Sequence, residues 1–385
     1  MELKKTYGIL LKGTVACAVL LAVDGRARAQ EPAPANEGED SRIVGRKGFI
    51  HAERINGIWW LVDDGGDRFV ATGMNHITQR IRFAPYNKDF WVKEFGPGIF
   101  KGKQINWQGS EVKKWMWRVC KDHKDFGFNT IAFHHPRTMP DEHFEELGIH
   151  YIGKLKLGEI NHKHAPRYGG FPDVFSLEWN AEAETKVKAY TAKHRNNKHF
   201  LGYSFNDLPD YALEPYLRVL RWRKEYRGFA IHPWIVDIIS KPGMTEGKKV
   251  WLEILKKHYS SAREAGAAYG ADVAAWEEFA GVTRWRVPKD EKQGAADQRE
   301  MNKRITKVWL KTHHDLIRKY DANHLILGDK ISAHGPGQPD WVWDIVKDYV
   351  DVVLIQDFDF YGPKHEAKLK AIYEMTGGKP IINGD

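Results

Sequence analysis

Two short carboxylate motifs lie far apart in the chain, and each follows an apolar run that is typical of a buried β-strand. The first is Phe-Leu-Gly-Tyr-Ser-Phe-Asn-Asp, which ends at Asp207, and the second is Pro-Ile-Ile-Asn-Gly-Asp, which ends at Asp385. In a parallel barrel, the carboxyl ends of the strands face one shared pocket. Most glycosidases use a pair of carboxylates in one pocket as their catalytic residues. The sequence therefore indicates Asp207 and Asp385 as a candidate catalytic pair.

Each motif also has an ordinary structural interpretation. Asn206 and Asp207 could form a turn or cap a helix, because aspartate accepts backbone hydrogen bonds well at the start of a helix. Asp385 alone indicates little about function. It is a candidate because it follows the Pro-Ile-Ile-Asn-Gly run. Asp329 and Asp357 also follow apolar runs, so they are reserve candidates for either carboxylate role.

The elements that must position these residues alternate between strand and helix. Apolar runs of strand length are separated by amphipathic helical segments, which predicts a parallel sheet. Polar residues cluster just after each run, and this asymmetry favours a barrel with its site on the carboxyl face of the strands. A doubly wound sheet is the competing architecture, but it would usually show a glycine-rich phosphate loop after an early strand, and none is present. The seven runs end near Asn75, His134, Gly158, Asp207, Asp329, Gln356 and Asp385.

The apolar patterns predict individual elements. A hairpin is expected where Ile58 to Val62 precedes an Asp-Asp-Gly-Gly-Asp turn. The predicted strands are Ile58 to Val62, Arg68 to Ile77, Phe128 to Phe133, Ile149 to Leu157, Phe200 to Phe205, Leu325 to Leu327, Val350 to Ile355 and Pro380 to Ile382. The predicted helices are Glu111 to Phe126, Asp141 to Leu147, Leu177 to His194, Lys248 to Tyr269 and Gln298 to Tyr320.

The N-terminal segment has the features of an export signal. Three lysines supply positive charge ahead of Thr14 to Val23, an apolar run that is too short to span a bilayer permanently. Ala27-Arg28-Ala29 resembles a small-x-small cleavage site. We therefore expect a signal peptide over residues 1–29 and an exported protein, periplasmic or secreted. Cys17 lies early in the apolar run and leaves a lipoprotein anchor as an alternative.

The rest of the chain divides into a leader and one folded domain. Residues 30–47 begin with a stretch rich in Pro, Ala, Glu and Gly, which is typical of a flexible leader. Residues 48–385 are long enough for one barrel. After cleavage at residue 29, Cys120 is the one remaining cysteine, so an intrachain disulfide is impossible and stability must come from a large core.

Charge and motif content narrow the class of partner. The formal charge is +8, and cleavage would remove five basic and two acidic residues, which leaves +5. A mildly basic exported protein suits an anionic polymer such as a sulfated glycan, and it suits solubility equally well. Basic blocks interleaved with aromatic residues, which would indicate nucleic acid, are missing from the sequence. The histidine pairs lack the spacing of metal sites, so we expect no metal and no organic cofactor.

Several segments follow one another in an order that is characteristic of one enzyme group. Gly57-Ile58-Trp59-Trp60-Leu61-Val62-Asp63 is followed by Phe69 and by Gly73-Met74-Asn75-His76, and further matching segments end at Asp207, Asp329 and Asp385. From about Gly48 to Asp385, the chain resembles the retaining glycoside hydrolases of clan A. The resemblance is greatest to their β-agarase-like and β-galactosidase-like branch. It implies a (β/α)8 TIM barrel of the α/β class.

The resemblance also implies roles for the residues that match the motifs. Asp207 corresponds to the general acid/base and Asp385 to the nucleophile. Asn206 corresponds to an asparagine that hydrogen-bonds the sugar 2-hydroxyl. The remaining residues implied to bind substrate are Asn75, His76, His134, Gln356 and, near the end of the sixth strand, Tyr361.

The chain departs from the family pattern at both carboxylates and after the seventh strand. Both family residues are Glu, whereas Asp207 and Asp385 are each one methylene shorter. We therefore expect the carboxyl groups to move from the retaining separation of roughly 5 to 5.5 Å toward the inverting range of roughly 6.5 to 9.5 Å. The pKa of Asp207 would have to be raised by burial and by the second carboxylate to serve as an acid. The eighth strand is missing, so we hypothesise a C-terminally incomplete barrel from a longer product. Mass spectrometry of a native protein ending at Asp385 would count against this hypothesis.

The predicted function is an exported glycoside hydrolase that cleaves an oligo- or polysaccharide, a galactan or agar-like polymer, without a cofactor. The alternative is a catalytically degenerate barrel that binds a glycan, which the two Asp residues and the missing strand favour. A purely structural cell-surface protein would not explain why polar residues gather at one end of the strands.

Overall fold

The computed structural model describes residues 42–77, 84–102, 104–106, 109–135, 141–335 and 337–385. These residues belong to one compact unit, Asp40–Asp385. The predicted signal peptide, residues 1–29, and most of the predicted leader, residues 30–47, lie outside the described residues. Within the described part, no helix combines the length and apolar character needed to span a membrane.

The strands among the described residues form two main sheets and one small hairpin. In chain order they are β1 (Arg42–Val44), β2 (His51–Ile55), β3 (Ile58–Val62), β4 (Arg68–Phe69), β5 (Gly73–Met74), β6 (Phe100–Lys101), β7 (Gln104–Ile105), β8 (Thr130–Ile131), β9 (His150–Lys154), β10 (Phe200–Asp207), β11 (Leu325–Ser332), β12 (Val353–Gln356) and β13 (Ile381–Asn383).

Seven of these strands form one parallel sheet in chain order, β5-β8-β9-β10-β11-β12-β13. Every neighbouring pair in it is parallel. The predicted parallel sheet is therefore confirmed, and it has the form of a partial TIM-like barrel.

The helices pack along the outside of this sheet. They are α1 (Lys88–Phe95), α2 (Ser110–Asp125), α3 (Asp141–Leu147), α4 (Leu177–His194), α5 (Leu213–Trp222), α6 (Pro233–Ile239), α7 (Glu246–His258), α8 (Ala262–Tyr269), α9 (Glu291–Tyr320), α10 (Asp340–Val346) and α11 (Pro363–Met375). The 3₁₀ turns are Pro85–Asn87, Pro97–Ile99, Ala165–Tyr168 and Trp276–Gly281.

Side chains along the central strands alternate between two cores, as the pleat of a strand requires. On β11, Leu325 and Leu327 belong to an inner core, whereas Ile326 faces the helices. Ile50, Ala52 and Leu61 from the region of β2 and β3 pack into the same inner core. The small antiparallel sheet therefore packs against the interior of the partial barrel.

The antiparallel sheet has the order β1-β2-β3-β4 and contains the predicted hairpin, in which Leu61 pairs with Phe69. Its first strand corrects the predicted domain boundary, since β1 lies within the segment assigned to the flexible leader. β1 is ordered because it pairs with β2, and Arg46 Nη1 donates to Asn323 Oδ1 at 2.7 Å. The folded domain therefore begins before residue 48.

Two predicted elements differ from the observed ones in ways that matter for the site. The predicted strand Arg68 to Ile77 is divided between β4 and β5, because the Asn129 side chain replaces a strand partner at the corner. Its Nδ2 donates to Val70 O at 2.9 Å, and its Oδ1 accepts from Thr72 N at 2.9 Å. The predicted strand ending at Leu327 continues to Ser332 and carries Lys330 with it.

Candidate active site

Asp207 and Asp385 lie side by side at the carboxyl edge of the parallel sheet. Lys330 Nζ lies 3.1 Å from Asp207 Oδ1 and 2.5 Å from Asp385 Oδ2, so these two oxygens can be no more than 5.6 Å apart. The limit applies to these two oxygens, and it shows that one ammonium group holds the two shortened carboxylates near each other. The expected widening of the distance between the two carboxyl groups stays a prediction.

Each carboxylate occupies the end of a different strand. Asp207 is the last residue of β10, and Asp385 follows β13 by two residues. Their side chains are 26% and 11% exposed, so both can be reached by a ligand from solvent. The two distant residues therefore lie together at one end of the sheet, and their sharing of one pocket stays a prediction.

Asn75 connects the first and seventh strands of the parallel sheet. Its Nδ2 donates to Gly384 O at 2.7 Å and to Asp385 Oδ1 at 2.5 Å, and its Oδ1 accepts from His134 N at 2.6 Å. One amide side chain therefore positions both Asp385 and the backbone of His134.

The two predicted site histidines stack on each other beside the carboxylates. The rings of His76 and His134 are 4.3 Å apart and nearly parallel, at 10°. His76 Nε2 lies 3.3 Å from Asp385 Oδ1, and His134 Nε2 lies 3.2 Å from Asp207 Oδ2. His76 has a left-handed backbone with φ of 56°, which is uncommon outside glycine and often marks a functional site. Burial and the neighbouring His134 lower the pKa of His76.

Lys330 is the site residue that the sequence prediction missed. Its side chain is fully buried, and Nζ also lies 2.9 Å from His134 Nε2. It points inward because of an irregularity at Gly328, where φ is +74° and the register with β10 shifts. Leu325 and Leu327 face the inner core, but after this shift Ile331 faces the helices. The only sequence signal for this change of face is a glycine inside an apolar strand.

Lys330 and His134 set the charge state of Asp207. Burial alone would raise the pKa of the Asp207 carboxyl, but the hydrogen bond from His134 and the Lys330 ammonium outweigh burial and bring the pKa below its ordinary value. The expectation that the pKa of Asp207 is raised is therefore wrong. The buried cation Lys330 lies between the two carboxylates, so Asp385 is not the only charged group close to Asp207.

The Asn206 side chain lies beside Asp207 but has no partner in the described structure. The residue is 1% exposed, and neither Oδ1 nor Nδ2 accepts or donates a hydrogen bond. Its backbone N donates to Asp329 Oδ1 at 2.8 Å, which holds the end of β10 in place. Asn206, Asp207 and His134 together line a cavity of about 300 Å³. A buried amide without partners is costly, so this side chain is available to a polar ligand.

Two other predicted binding residues have no hydrogen bond to either carboxylate among the described residues. Gln356 ends β12 and is buried, with its Oε1 unpartnered. Tyr361 follows in the next loop, is 92% exposed, and its ring meets His365 at 4.9 Å.

The reserve carboxylates serve structural contacts elsewhere. Asp329 is buried in the helix layer, where Trp309 Nε1 donates to it at 3.0 Å and Tyr211 also donates. Burial raises the pKa of Asp329 to about 6, although these donors oppose the rise. Asp357 pairs with His365 at 3.1 Å and with Lys368 at 2.6 Å.

His76, His134 and Asp385 could together hold a metal ion, since their potential ligand atoms lie within 4.8 Å of one another. Lys330 Nζ already contacts His134 and Asp385 at 2.9 and 2.5 Å. A metal ion would have to displace this ammonium or share its ligands against charge repulsion. The arrangement is thus better suited to the lysine than to a metal.

No protein-family model matches the chain, and no curated protein matches it. Among solved structures, it is similar to an exo-β-agarase, with a TM-score of 0.61 and 17% identity over 89% of this chain and 53% of that one. It is also similar to PfGH50B, with a TM-score of 0.60 and 16% identity over 90% and 54%. For the agarase AgWH50C, the TM-score is 0.58 and the identity 17%, over 90% and 53%.

The chain spans about half the length of these three structures. At such low identity, the similarity establishes a shared fold. The resemblance to the β-agarase-like group that the motifs predicted is confirmed at this level.

Proposed function

We propose that this chain is an exported glycoside hydrolase that cleaves a galactan or agar-like polysaccharide with Asp207 and Asp385. The observation that supports this most is the separation of at most 5.6 Å between their nearest Lys330-bound oxygens, at the carboxyl edge of parallel strands. The fold shared with agarases supports the substrate class. In this proposal, the seven parallel strands belong to a (β/α)8 barrel.

Asp385 is the proposed nucleophile. Asn75 and His76 contact its Oδ1, and Lys330 contacts its Oδ2, so the carboxylate is held in one orientation by three side chains. An oriented carboxylate can attack the anomeric carbon and form a covalent glycosyl intermediate. Both carboxylates contact the same ammonium group, which keeps them close together, as a retaining route requires.

Asp207 is the proposed acid/base, but it works as a pair with Lys330. The pKa of Asp207 lies below its ordinary value, so its carboxyl is ionised in the resting site, and Lys330 Nζ lies 3.1 Å from Asp207 Oδ1. As the glycosidic bond breaks, the leaving oxygen takes one proton from the pair through Asp207. The water that hydrolyses the glycosyl ester later gives one proton back to the pair. The enzyme is then unchanged after each turnover.

The other predicted residues would bind the sugar around this centre. The unpartnered amide of Asn206 can hydrogen-bond a sugar hydroxyl next to the reacting bond, and the buried Gln356 Oε1 can accept one further along the sheet edge. His76 and His134 form one wall beside the carboxylates. Tyr361 offers an exposed ring, and sugar rings pack well on such faces.

A glycan-binding barrel without catalysis is the second candidate. The observation in its favour is the buried Lys330, which keeps the Asp207 carboxyl ionised when a general acid must carry a proton. In this interpretation, the lysine neutralises two carboxylates that no longer react.

Turnover and binding by the full chain separate the two candidates. We expect the native protein to release oligosaccharides from agarose, and Asp207→Asn to reduce the rate by about 10²- to 10⁴-fold while binding is kept. Asp359→Asn, at an exposed aspartate in the loop after β12, is the control and should keep full turnover. Binding without product by the native protein would establish the second candidate, and neither binding nor product would overturn both.

A further inference from the structure

A second cavity adjoins the cavity that contains Asp207. It has a volume of about 610 Å³, within the range of roughly 300 to 1,000 Å³ that is usual for small-ligand sites. Three side chains line both cavities: Lys156, Glu159 and Tyr168. A chain-like ligand could therefore occupy both cavities at once, with one part of it at Asp207.

The walls of the second cavity come from four segments of the fold. The loop after β9 supplies Lys156, the 3₁₀ turn supplies Tyr168, the first turn of α4 supplies Trp179, and α6 supplies Asp237. Gly170 lies where the chain turns against this wall, with φ of +96°, and a Cβ added to it would lie 2.7 Å from Asp237 Oδ2. The shape of the cavity is therefore built into the backbone path.

Asp173 brings an unused carboxylate oxygen to this cavity. The residue is 3% exposed, and its Oδ1 accepts from Phe175 N at 3.2 Å. Among the described residues, Oδ2 has no hydrogen-bond partner, since Lys241 Nζ is 3.8 Å away, which is too far for a hydrogen bond. Burial raises the pKa of Asp173, although Lys241 opposes the rise. Oδ2 can therefore accept a hydrogen bond from a ligand.

Trp179 brings an unused donor to the same cavity. The residue is 7% exposed, and its Nε1–H donates to none of the described residues. Its ring is held by stacking on Trp309, with the centres 5.7 Å apart. Trp309 itself donates to Asp329 Oδ2 at 3.0 Å. A buried indole without an acceptor is costly, so the Trp179 N–H is available to a ligand.

An unused acceptor and an unused donor in one cavity restrict the chemistry of the ligand. An anion could accept from Trp179 but would be repelled by the Asp173 carboxylate. A cation could pair with Asp173 but offers no acceptor to the Trp179 N–H. A hydroxyl group both donates and accepts, so neighbouring hydroxyl groups of one ligand can satisfy both residues.

The charge of the lining also disfavours an anionic ligand. Five carboxylates line the cavity against three ammonium groups. Two of these ammonium groups are paired within the lining, Lys156 with Glu159 and Lys186 with Glu182. Among the lining residues, three carboxylates then remain against Lys241. A neutral ligand that carries hydroxyl groups is therefore favoured.

We propose that this second cavity is a further subsite, which binds a neutral sugar unit of the same glycan chain beyond the unit at Asp207. Hydroxyl groups of that unit donate to Asp173 Oδ2 and accept from Trp179 Nε1. Tyr168 is exposed where the two cavities meet, and its ring offers a face on which the sugar chain can pack. The inference rests on the proposed function and specifies its substrate as a chain that spans both cavities.

Binding of agarose oligosaccharides, from the disaccharide to the octasaccharide, tests the proposal. To keep the ligands intact, each protein also carries Asp207→Asn. Affinity should rise at the length at which the oligosaccharide reaches the second cavity. Adding Asp173→Asn or Trp179→Phe should lower the affinity for the longer oligosaccharides about two- to tenfold, which is the range for one hydrogen bond. The affinity for the shortest oligosaccharide should be unchanged.

Each substitution is chosen to remove one hydrogen bond. In Asp173→Asn, the amide oxygen can still accept from Phe175 N, so Nδ2 replaces the acceptor that faced the cavity. Trp179→Phe removes the N–H and keeps an aromatic ring against Trp309. Trp222→Phe, at an exposed indole that lines neither cavity, is the control and should keep the dependence on length.

The dependence on length separates the outcomes. Unchanged affinity at every length in both variants would mean that the cavity holds water only, and would overturn this inference while the proposed function stands. An equal loss at every length in both variants would also overturn it, because the two residues would then have a structural role. No binding of any oligosaccharide, by these proteins or by the native chain, would overturn the proposed function and this inference with it.

Discussion

The ammonium group of Lys330 lies 2.5 Å from Asp385 Oδ2, although the side chain of Lys330 is fully buried. A buried lysine is costly unless it is paired, and Lys330 is paired with both carboxylates of the proposed catalytic pair. The same contact that stabilises the lysine therefore draws the two carboxylates together and keeps Asp207 ionised. The geometry and the charge of the site depend on this one residue.

We expect Lys330→Met to leave two carboxylates close together without a cation. Like charges at this distance raise the pKa of one carboxyl, whereas in the native protein the pKa of Asp207 lies below its ordinary value. A carboxyl ¹³C NMR titration of aspartate-labelled protein should show one resonance that moves to a clearly higher pH. The variant should also lose about 3 to 5 kcal/mol of stability at neutral pH, because it leaves partly buried charge unpaired.

Lys248→Met is the matched control for this variant. Lys248 is equally buried, but its Nζ donates to backbone carbonyls, at 2.5 Å to Lys241 O and 2.9 Å to Val282 O. It should lower stability and leave the titration of the site carboxyls as it is. If Lys330→Met also left that titration unchanged, Lys330 would not control the charge of the pair.

Asn75 gives a second test of how the site is held together. Asn75→Ala removes the link to Asp385 and leaves the His134 N–H without its acceptor, which should cost about 1 to 3 kcal/mol. Asn75→Asp keeps an acceptor for His134 but places a third carboxylate against Asp385. Urea unfolding should show that the loss of unfolding free energy caused by Asn75→Asp becomes smaller between pH 7 and pH 5. Over this range, carboxylates with raised pKa values take up protons.

The alanine variant provides the comparison for that pH dependence. The loss of unfolding free energy caused by Asn75→Ala should stay constant over the same pH range, because alanine adds no titratable group. Equal pH dependence of the two variants would mean that Asn75 does not lie against the Asp385 carboxylate.

The parts of the site that the sequence predicts are the polar residues that directly follow apolar runs. β10 and β13 are apolar runs in the sequence, so Asp207 at the end of β10 and Asp385 two residues after β13 could be placed at one edge of the sheet from the pattern alone. Asn75 and His134 follow strands in the same way, and the structure places both beside Asp385.

Lys330 could not be placed in this way, because the periodic pattern breaks inside β11. An uninterrupted alternation from Leu325 and Leu327 would point Asp329 into the barrel and Lys330 toward the helices. The left-handed Gly328 shifts the alternation by one residue and exchanges the two. The expected pKa of Asp207 had the wrong direction for the same reason, since it was inferred without the lysine.

Gly328 therefore decides which charge faces the site, and Gly328→Ala tests this. Its φ of +74° costs a residue with Cβ about 1 to 2 kcal/mol, and the new Cβ would lie 2.7 Å from Val350 Cγ1. We expect a total loss of about 2 to 5 kcal/mol, since overpacking adds about 1 to 3 kcal/mol. We also expect a rise in the pKa of the site carboxyls in the NMR titration, because Lys330 moves with the strand.

Gly377→Ala is the control for backbone strain alone. Gly377 has a similar φ of +69°, but no atom lies within 4 Å of its added Cβ. Gly377→Ala should lower the free energy of unfolding only by the cost of the left-handed backbone, about 1 to 2 kcal/mol, and should leave the titration of the site carboxyls unchanged. Equal losses for the two variants would show that contact with Val350 has no part in holding β11.

Buried histidines should make the protein sensitive to acid, and His313 is the best placed to show it. Burial lowers the pKa of His313 to about 3, so the unfolded chain takes up a proton below pH 6.5 that the folded chain does not. Stability attributable to His313 should therefore fall by about 1.4 kcal/mol per pH unit between pH 6 and pH 4. His313→Phe lacks this proton and fits beside Phe205 and Trp309, whose rings lie 4.1 and 4.2 Å from the imidazole.

Urea unfolding of the native protein and His313→Phe at pH 7, 6 and 5 checks this prediction. The native protein should lose stability faster on acidification, and the two curves should approach or cross. Burial raises the pKa of the nearby Asp329 to about 6 and acts in the opposite direction, but it is present in both proteins and cancels in the difference. Parallel curves for His313→Phe and the native protein would show that His313 is not held neutral in the folded state.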